Sequence, residues 1–206
     1  LDPDGFYRDL NNYTVETYAN IYMGSQGRDA GQLYSRELDD YSFIFPKFDT
    51  KYRYYSRYRG GKDMTSEGDM EQALISRHYL DKADLYEREM NNGYLQGVVR
   101  FDQIDNKLNP EGPTALFIRD SYTSPVATFL SPMFSRIEFL WSLHFSPTGE
   151  GSIQNMLNEK HFDYVFVALA LDNFTNEGTP FYIEDPKAAE NGDEDVIGQG
   201  QDPAGQ

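Results

Sequence analysis

The stretch "TALFIRDSYTSPVATFL", residues 114–130, joins an apolar run directly to a charged pair and a hydroxyl. The segment "PTALFI" (113–118) is short and largely apolar, which is typical of a strand buried on both faces. The segment "SPVATFLSPMF" (124–134) starts with Ser-Pro and continues with apolar residues at helical spacing, which predicts a helix. Ser121 therefore lies where the chain leaves a strand and enters a helix.

The alternation of strand and helix continues downstream. The segments "RIEFLWSLHF" (136–145) and "DYVFVALAL" (163–171) predict two more buried strands, and "GSIQNMLNEKHF" (151–162) predicts a capped amphipathic helix between them. A β-α-β-α-β order with short connections favours parallel strands joined by right-handed crossovers. We therefore expect an α/β fold with a mostly parallel central sheet, whose core spans residues 113–186.

The residues before this core have a less regular pattern. We expect residues 1–112 to form an irregular, strand-poor and aromatic-rich region that packs on the core. The local expectations are a short helix (11–25), a glycine-rich structured loop (24–34), two extended segments around Pro46 (39–58), a helix (68–80) and a strand (93–105). The acidic tail, residues 187–206, has scarcely any apolar content, so we expect it to be loosely held or to dock on a partner.

Composition excludes several classes of function. The formal net charge is −16, with 34 acidic against 18 basic residues, so we expect no nucleic-acid partner. No run of about eighteen apolar residues occurs, so we expect no membrane span. The chain has no cysteine, which excludes thiolate catalysis and fits a cytosolic protein as well as an exported bacterial one. We expect no cofactor and no metal site.

The position of Ser121 allows two interpretations. In an open parallel sheet, functional residues collect at the carboxyl ends of strands. A serine there can hold its hydroxyl beside backbone N–H groups that stabilise a developing oxyanion. Alternatively, Ser121 or Ser124 caps the following helix, since serine is a common residue at that position.

The stretch "ALFIRDSYTSPVATFLSPMFSRIEFLW" (115–141), with "FDYVFVALALDNF" (162–174) after it, resembles SGNH-hydrolase-like proteins related to alginate O-acetyltransferases and DHHW-type proteins. In that group a strand ends in Asp-Ser, then Phe or Tyr, then a helix. The upstream "GSQGRDAGQLYSRELDDYSFIFPKFDT" (24–50) is similar to the glycine-rich and extended segments that precede that strand. The resemblance implies an SGNH-like three-layer α/β/α fold and acyl transfer or ester hydrolysis on a carbohydrate polymer.

The resemblance also implies roles for single residues. Ser121 matches the nucleophile and Asp120 the acid before it, while Arg119 and Tyr122 flank the pair as candidate oxyanion or substrate contacts. Asn173, after the third strand, matches the asparagine that lines the oxyanion hole in simpler members.

The proton acceptor is harder to match. Simple SGNH enzymes carry Asp-x-x-His late in the chain, and alginate-type relatives carry Asp-x-His before the glycine-rich stretch. None of His78, His144 and His161 fits either motif. The chain starts with Leu and shows no signal peptide, so we expect a processed product or fragment. Either the base comes from an upstream segment or a partner chain, or this member lacks the motif. His144 is the candidate within this chain, because it lies at the carboxyl end of the predicted strand 136–145.

Two hypotheses follow from these observations. The first is a polysaccharide O-acetyltransferase or acetylesterase that acts on a carbohydrate polymer or acyl ester and is secreted, periplasmic or on the cell surface. The second is a catalytically inactive structural or carbohydrate-binding component of an extracellular assembly. In this second hypothesis Ser121 caps the helix, and five aromatic residues offer contact surface: Tyr52, Tyr54, Tyr55, Tyr58 and Trp141.

Overall fold

The computed structural model describes residues 1–31, 37–57, 63–81, 90–95, 101–141 and 152–170. The strands in these ranges are β1 (Tyr13–Tyr22), β2 (Asp39–Pro46), β3 (Tyr52–Arg57), β4 (Asp63–Gly68), β5 (Phe101–Asn106), β6 (Thr114–Arg119), β7 (Arg136–Trp141) and β8 (Tyr164–Ala168). The helices are α1 (Ser25–Ala30), α2 (Met70–Leu74), α3 (Thr123–Leu130) and α4 (Ile153–Glu159). None of the helices in the described ranges is long and apolar enough to cross a membrane.

Six strands form one mixed sheet in the order β4-β3-β5-β7-β6-β8. Strand β6 pairs in parallel with both β7 and β8, which confirms the α/β class and the predicted parallel arrangement of these three strands. The other three neighbouring pairs are antiparallel, so the prediction of a mostly parallel sheet is wrong. In β3 and β5 burial alternates along the strand, which is typical of antiparallel strands.

The prediction of an irregular, strand-poor region over residues 1–112 is also wrong. Five of the eight described strands lie there, and three of them belong to the main sheet, so position 112 does not separate two sheets. Strands β1 and β2 pair with each other as a separate antiparallel hairpin. The helix expected over 11–25 is β1, because its Tyr, Thr and Val side chains favour an extended backbone.

The remaining local predictions succeed to different degrees. The two extended segments around Pro46 are confirmed as β2 and β3. The helix expected over 68–80 ends early, at Leu74, and the expected loop over 24–34 contains α1. The predicted capped helix over 151–162 is confirmed as α4, since the Ser152 hydroxyl accepts a hydrogen bond from the Asn155 N–H. The tail, residues 187–206, lies outside the described residues.

Strand β6 is buried on both faces, as its sequence predicts. Its side chains alternate between two apolar clusters on opposite sides of the sheet. Ala115 and Phe117 join the larger cluster, which also takes residues from β2, α2 and α3. Leu116 and Ile118 join a smaller cluster that includes two residues of α4. The central parallel strand is therefore the position at which both halves of the core meet.

Strand β8 is less buried than predicted. It is the outer strand of the sheet in the described part of the chain, and Tyr164, Val165 and Val167 are each more than two-fifths exposed. Asp163 anchors its start, because its Oδ2 accepts hydrogen bonds from the Thr114 N–H (2.7 Å) and hydroxyl (2.9 Å). These two bonds hold the beginning of β8 against the beginning of β6.

We expect Phe117→Ala to lower the free energy of unfolding by about 3–5 kcal/mol, because it empties a fully enclosed site between two other rings. Phe117 is 2% exposed and its ring centroid lies 4.6 Å from that of Phe166 and 5.7 Å from that of Phe139. Urea unfolding measures the change. Phe6→Ala, at a half-exposed phenylalanine, is the matched control and should cost less than about 1 kcal/mol. Equal costs for the two variants would contradict this description of the core.

We expect Asp163→Asn to flatten the loss of stability in acid. Two hydrogen bonds lower the pKa of Asp163 in the folded protein. The larger effect comes from the Thr114 backbone N–H and the smaller one from the Thr114 hydroxyl. The unfolded chain therefore binds this proton at higher pH, and the stabilisation disappears as the pH falls through the lowered pKa of the folded state. Denaturant midpoints between pH 2 and pH 6 measure the effect, and Asp4→Asn is the control. A variant with an unchanged pH slope would refute the role of this carboxylate.

Candidate functional site

The chain leaves β6 at Arg119 and makes a tight turn before α3 begins at Thr123. Ser121 lies in this turn and is half-buried, while Tyr122 beside it is 52% exposed. Tyr122 occupies the cap position of α3 without a side-chain capping bond, and Ser124 lies inside the helix. The interpretation of Ser121 or Ser124 as the helix cap is therefore wrong.

Asp120 is a buried anchor for the turn. Its Oδ1 accepts a hydrogen bond from the Tyr122 N–H at 3.0 Å, and its Oδ2 accepts one from the Ala170 N–H at 2.5 Å. The Thr123 hydroxyl adds a second link to the same place by donating to the Ala168 carbonyl at 2.7 Å. The turn after β6 is thus tied to the carboxyl end of the neighbouring parallel strand β8.

Arg119 is fully buried and bridges two strands that are not neighbours. Its Nη2 lies 2.9 and 2.8 Å from the two carboxylate oxygens of Asp102 on β5. To reach them the guanidinium passes over the ring of Phe139 on the intervening strand β7, with Cζ 4.9 Å from the ring centroid. Its Nη1 donates to the Ser124 hydroxyl at 2.9 Å and contacts the Asp120 carbonyl at 3.4 Å. In this conformation the guanidinium contacts protein groups and is closed to solvent.

Asp102 continues this network towards β3. The Tyr54 hydroxyl lies 3.1 Å from Asp102 Oδ2 and 2.7 Å from the Leu95 carbonyl oxygen. Burial raises the pKa of Asp102 above its usual value, and the charge of Arg119 and the hydrogen bonds oppose that rise. Since arginine stays protonated, a neutral Asp102 would leave a buried cation without a counter-charge, so pairing favours the carboxylate.

Other candidate residues fall into two groups. His144, Asn173 and Tyr58 lie outside the described residues. Tyr52 and Tyr54 are 1% exposed, so the prediction that they offer contact surface is wrong for these two side chains. Tyr55 and Trp141 are half-buried. No group of three or more metal-binding side chains occurs in the described ranges.

The two described histidines are both exposed. His161 is on the surface, 89% exposed, with Nε2 3.8 Å from Asp163 Oδ1. It precedes β8, at the edge of the sheet where β6 begins. Ser121 follows the other end of β6, about 17 Å away along a strand of this length. His161 is therefore at the wrong edge to accept a proton from Ser121.

Asp102, the residue that pairs with Arg119, is not among the residues predicted from the sequence. A signal was present in "FDQIDN" (101–106), where Asp102 shares a two-residue period with the buried Ile104 and Asn106. An acidic side chain at an inward position of a strand requires a counter-charge. The Arg-Asp-Ser stretch could have supplied it, because Arg119 follows the buried residues of β6 at the same period.

The mixed α/β fold of the described residues is shared with the solved structures of a DHHW family protein and of PatB1. A DHHW family protein from Eubacterium siraeum DSM 15702 has a TM-score of 0.54 at 14% identity, covering 89% of this chain and 54% of that one. Bacillus cereus PatB1 has a TM-score of 0.57 at 13% identity, covering 84% and 53%. PatB1 with a sulfonyl adduct has a TM-score of 0.56 at 14% identity, covering 83% and 51%.

These similarities show a common fold and a distant structural relationship. The chain spans about half the length of each of these neighbours. No family model matches the sequence, and no curated protein does.

We expect Asp120→Ala to cost about 1–3 kcal/mol of unfolding free energy, because it removes the acceptor of two backbone N–H groups in a buried turn. Hydrogen exchange should speed up at the Tyr122 and Ala170 amides in particular. Asp69→Ala is the matched control, since Asp69 also accepts from a backbone N–H but at the exposed start of α2. Unchanged exchange at Ala170 in Asp120→Ala would show that Asp120 does not tie the turn to β8.

Proposed function

We propose that this chain is an SGNH-like polysaccharide O-acetyltransferase or acetylesterase domain with Ser121 as its nucleophile. The observation that carries the proposal is the position of Ser121. It lies at the carboxyl end of a parallel strand, in a turn held by a buried acid, and immediately before a helix. Functional groups in α/β folds collect at such strand ends.

Two further observations support acyl chemistry. The Arg-Asp-Ser-Tyr stretch resembles the serine motif of proteins related to alginate O-acetyltransferases, and a DHHW family protein shares the fold. One of the PatB1 structures that also share it carries a sulfonyl adduct. Sulfonyl groups react with activated nucleophiles, and an activated serine hydroxyl is one of them.

The proposal also includes the fold. Within residues 113–186, an SGNH-like three-layer arrangement would contain the strands β6, β7 and β8 and the helices α3 and α4.

The proposed reaction has two steps. The Ser121 Oγ attacks the ester carbonyl carbon, its proton passes to a base, and the carbonyl oxygen becomes an oxyanion that backbone N–H groups stabilise. The alcohol then leaves with a proton, and an acyl-serine remains. A sugar hydroxyl attacks this acyl group in transfer, or water attacks it in hydrolysis. His144, an upstream segment or a partner chain supplies the base, and Asn173 is a further candidate donor to the oxyanion.

The surface beside Ser121 suits a sugar. Tyr122 and Val126, four residues apart and both more than half exposed, lie on one face at the start of α3. A flat aromatic ring with a polar tip can stack on a sugar ring and hydrogen-bond its hydroxyls. We therefore propose a carbohydrate polymer as the acyl acceptor or donor, with Tyr122 in contact with it, and a secreted, periplasmic or cell-surface location.

The second candidate is a catalytically inactive carbohydrate-binding domain of the same fold. The observation that favours it is the placement of His161 at the opposite edge of the sheet from Ser121. In this case Tyr122 would still bind sugar, but Ser121 would transfer no acyl group. Substitution of Ser121 separates the two candidates.

We expect Ser121→Ala to lower kcat for p-nitrophenyl acetate and for an O-acetylated polysaccharide about 10²-fold or more, because no other hydroxyl would form the acyl intermediate. Ser135→Ala is the matched control: Ser135 is a half-buried serine outside the turn, with its hydroxyl on the Pro113 carbonyl. Equal rates for the wild type and Ser121→Ala would refute the enzymatic proposal. Retained polysaccharide binding in both proteins would then support the second candidate.

A further inference from the structure

The peptide unit between Asp120 and Ser121 is held from the interior of the protein. Its carbonyl oxygen, on Asp120, contacts Arg119 Nη1 at 3.4 Å and accepts from the Thr123 N–H at 3.3 Å. Both carboxylate oxygens of Asp120 are anchored as well. Asp120, which precedes Ser121, is thus restrained at its backbone carbonyl and at its side chain.

Because this peptide is planar, the restraint on its carbonyl also determines the direction of the Ser121 N–H bond. In a trans peptide the C=O and N–H bonds point in opposite directions, and no described peptide bond is cis. Because the carbonyl faces the buried guanidinium, the Ser121 N–H faces away from it. Among the described residues, this N–H has no acceptor. A backbone N–H without an acceptor beside a candidate nucleophile is the donor that an oxyanion requires.

We propose that the buried Asp102–Arg119 pair is a positioning device that orients the Ser121 N–H to stabilise an oxyanion. Asp102 fixes one side of the guanidinium fork, and the other side then holds Ser124 and the Asp120 carbonyl. The planar fork matters, because an ammonium group cannot reach all these acceptors in a fixed geometry. Arg119 is thus a positioning residue, without contact to substrate, and its role in catalysis rests on the proposed function of Ser121.

The test compares four proteins. The double variant Asp102→Asn/Arg119→Met removes both charges and leaves no buried ion unpaired, so it folds more readily than either single change. Arg119→Lys keeps the charge and loses the fork. The control is Asp105→Asn/Arg136→Met, which removes a partly exposed ion pair (3.0 Å) between β5 and the neighbouring strand β7. Thermal unfolding and circular dichroism establish that each variant is folded.

Two measurements are made on each protein. Residual dipolar couplings of the ¹⁵N-labelled protein report the direction of the Ser121 N–H bond, whether or not the protein is active. Steady-state kinetics with p-nitrophenyl acetate separate kcat from KM. We expect a changed Ser121 coupling and a fall in kcat of about 10- to 100-fold at similar KM in the double variant, because loss of one oxyanion donor costs about 10²-fold or more. Arg119→Lys should lie between the two, and the control should match the wild type.

The possible results are distinguishable. An unchanged Ser121 coupling in the double variant would overturn the proposal, and so would a changed coupling with unchanged kcat in a protein whose turnover depends on Ser121. A changed coupling in a protein that shows no Ser121-dependent turnover would support the positioning role and refute the enzymatic function. A fall in kcat with the same fall in the control pair would point to general loosening of the sheet and overturn the proposal.

Discussion

One buried ion pair, between Arg119 at the end of β6 and Asp102 on β5, connects the sheet to the candidate site. The two residues are on strands separated by β7, so the guanidinium crosses the Phe139 ring to reach the carboxylate. The hydrogen-bonded network extends from Tyr54 on β3 to Ser124 on α3, and it links the antiparallel and parallel halves of the sheet. Removal of one partner of such a pair costs about 3–5 kcal/mol, because the remaining charge is buried without compensation.

The same interaction connects the core to the candidate site. Arg119 is the last residue of a strand that is buried on both faces, and the next three residues form the turn that carries Ser121. A simple connecting loop would need neither Arg nor Asp. The contacts of Arg119 and Asp120 explain why the sequence has a charged pair here. Arg119 is directed into the sheet, Asp120 is directed across to β8, and Tyr122 is left at the surface. The residues around Ser121 therefore differ in their surroundings: two are buried and anchor the turn, and one is exposed.

The parts of the fold that were predicted correctly are those whose local pattern is unambiguous. Strand β6 is a short apolar run and α4 begins with a serine cap, so both follow from neighbouring residues alone. Strand β1 was predicted as a helix instead, because its tyrosines and polar residues mask a two-residue period. The position of Ser121 at a strand end could be predicted, but its surroundings could not. The pairing of Arg119 with Asp102 joins residues 17 positions apart across an intervening strand; the period of β5 indicates an inward-facing acid but does not specify its partner.

The most direct test of this account is a double-mutant cycle between Asp102 and Arg119. The free energies of unfolding of the wild type, Asp102→Asn, Arg119→Met and the double variant give the coupling energy of the pair. If each charge compensates the other in the interior, each single change should be severe and the double variant should recover much of the loss, with a coupling of about 2 kcal/mol or more. Additive effects, with a coupling below about 0.5 kcal/mol, would contradict the central place given to this interaction.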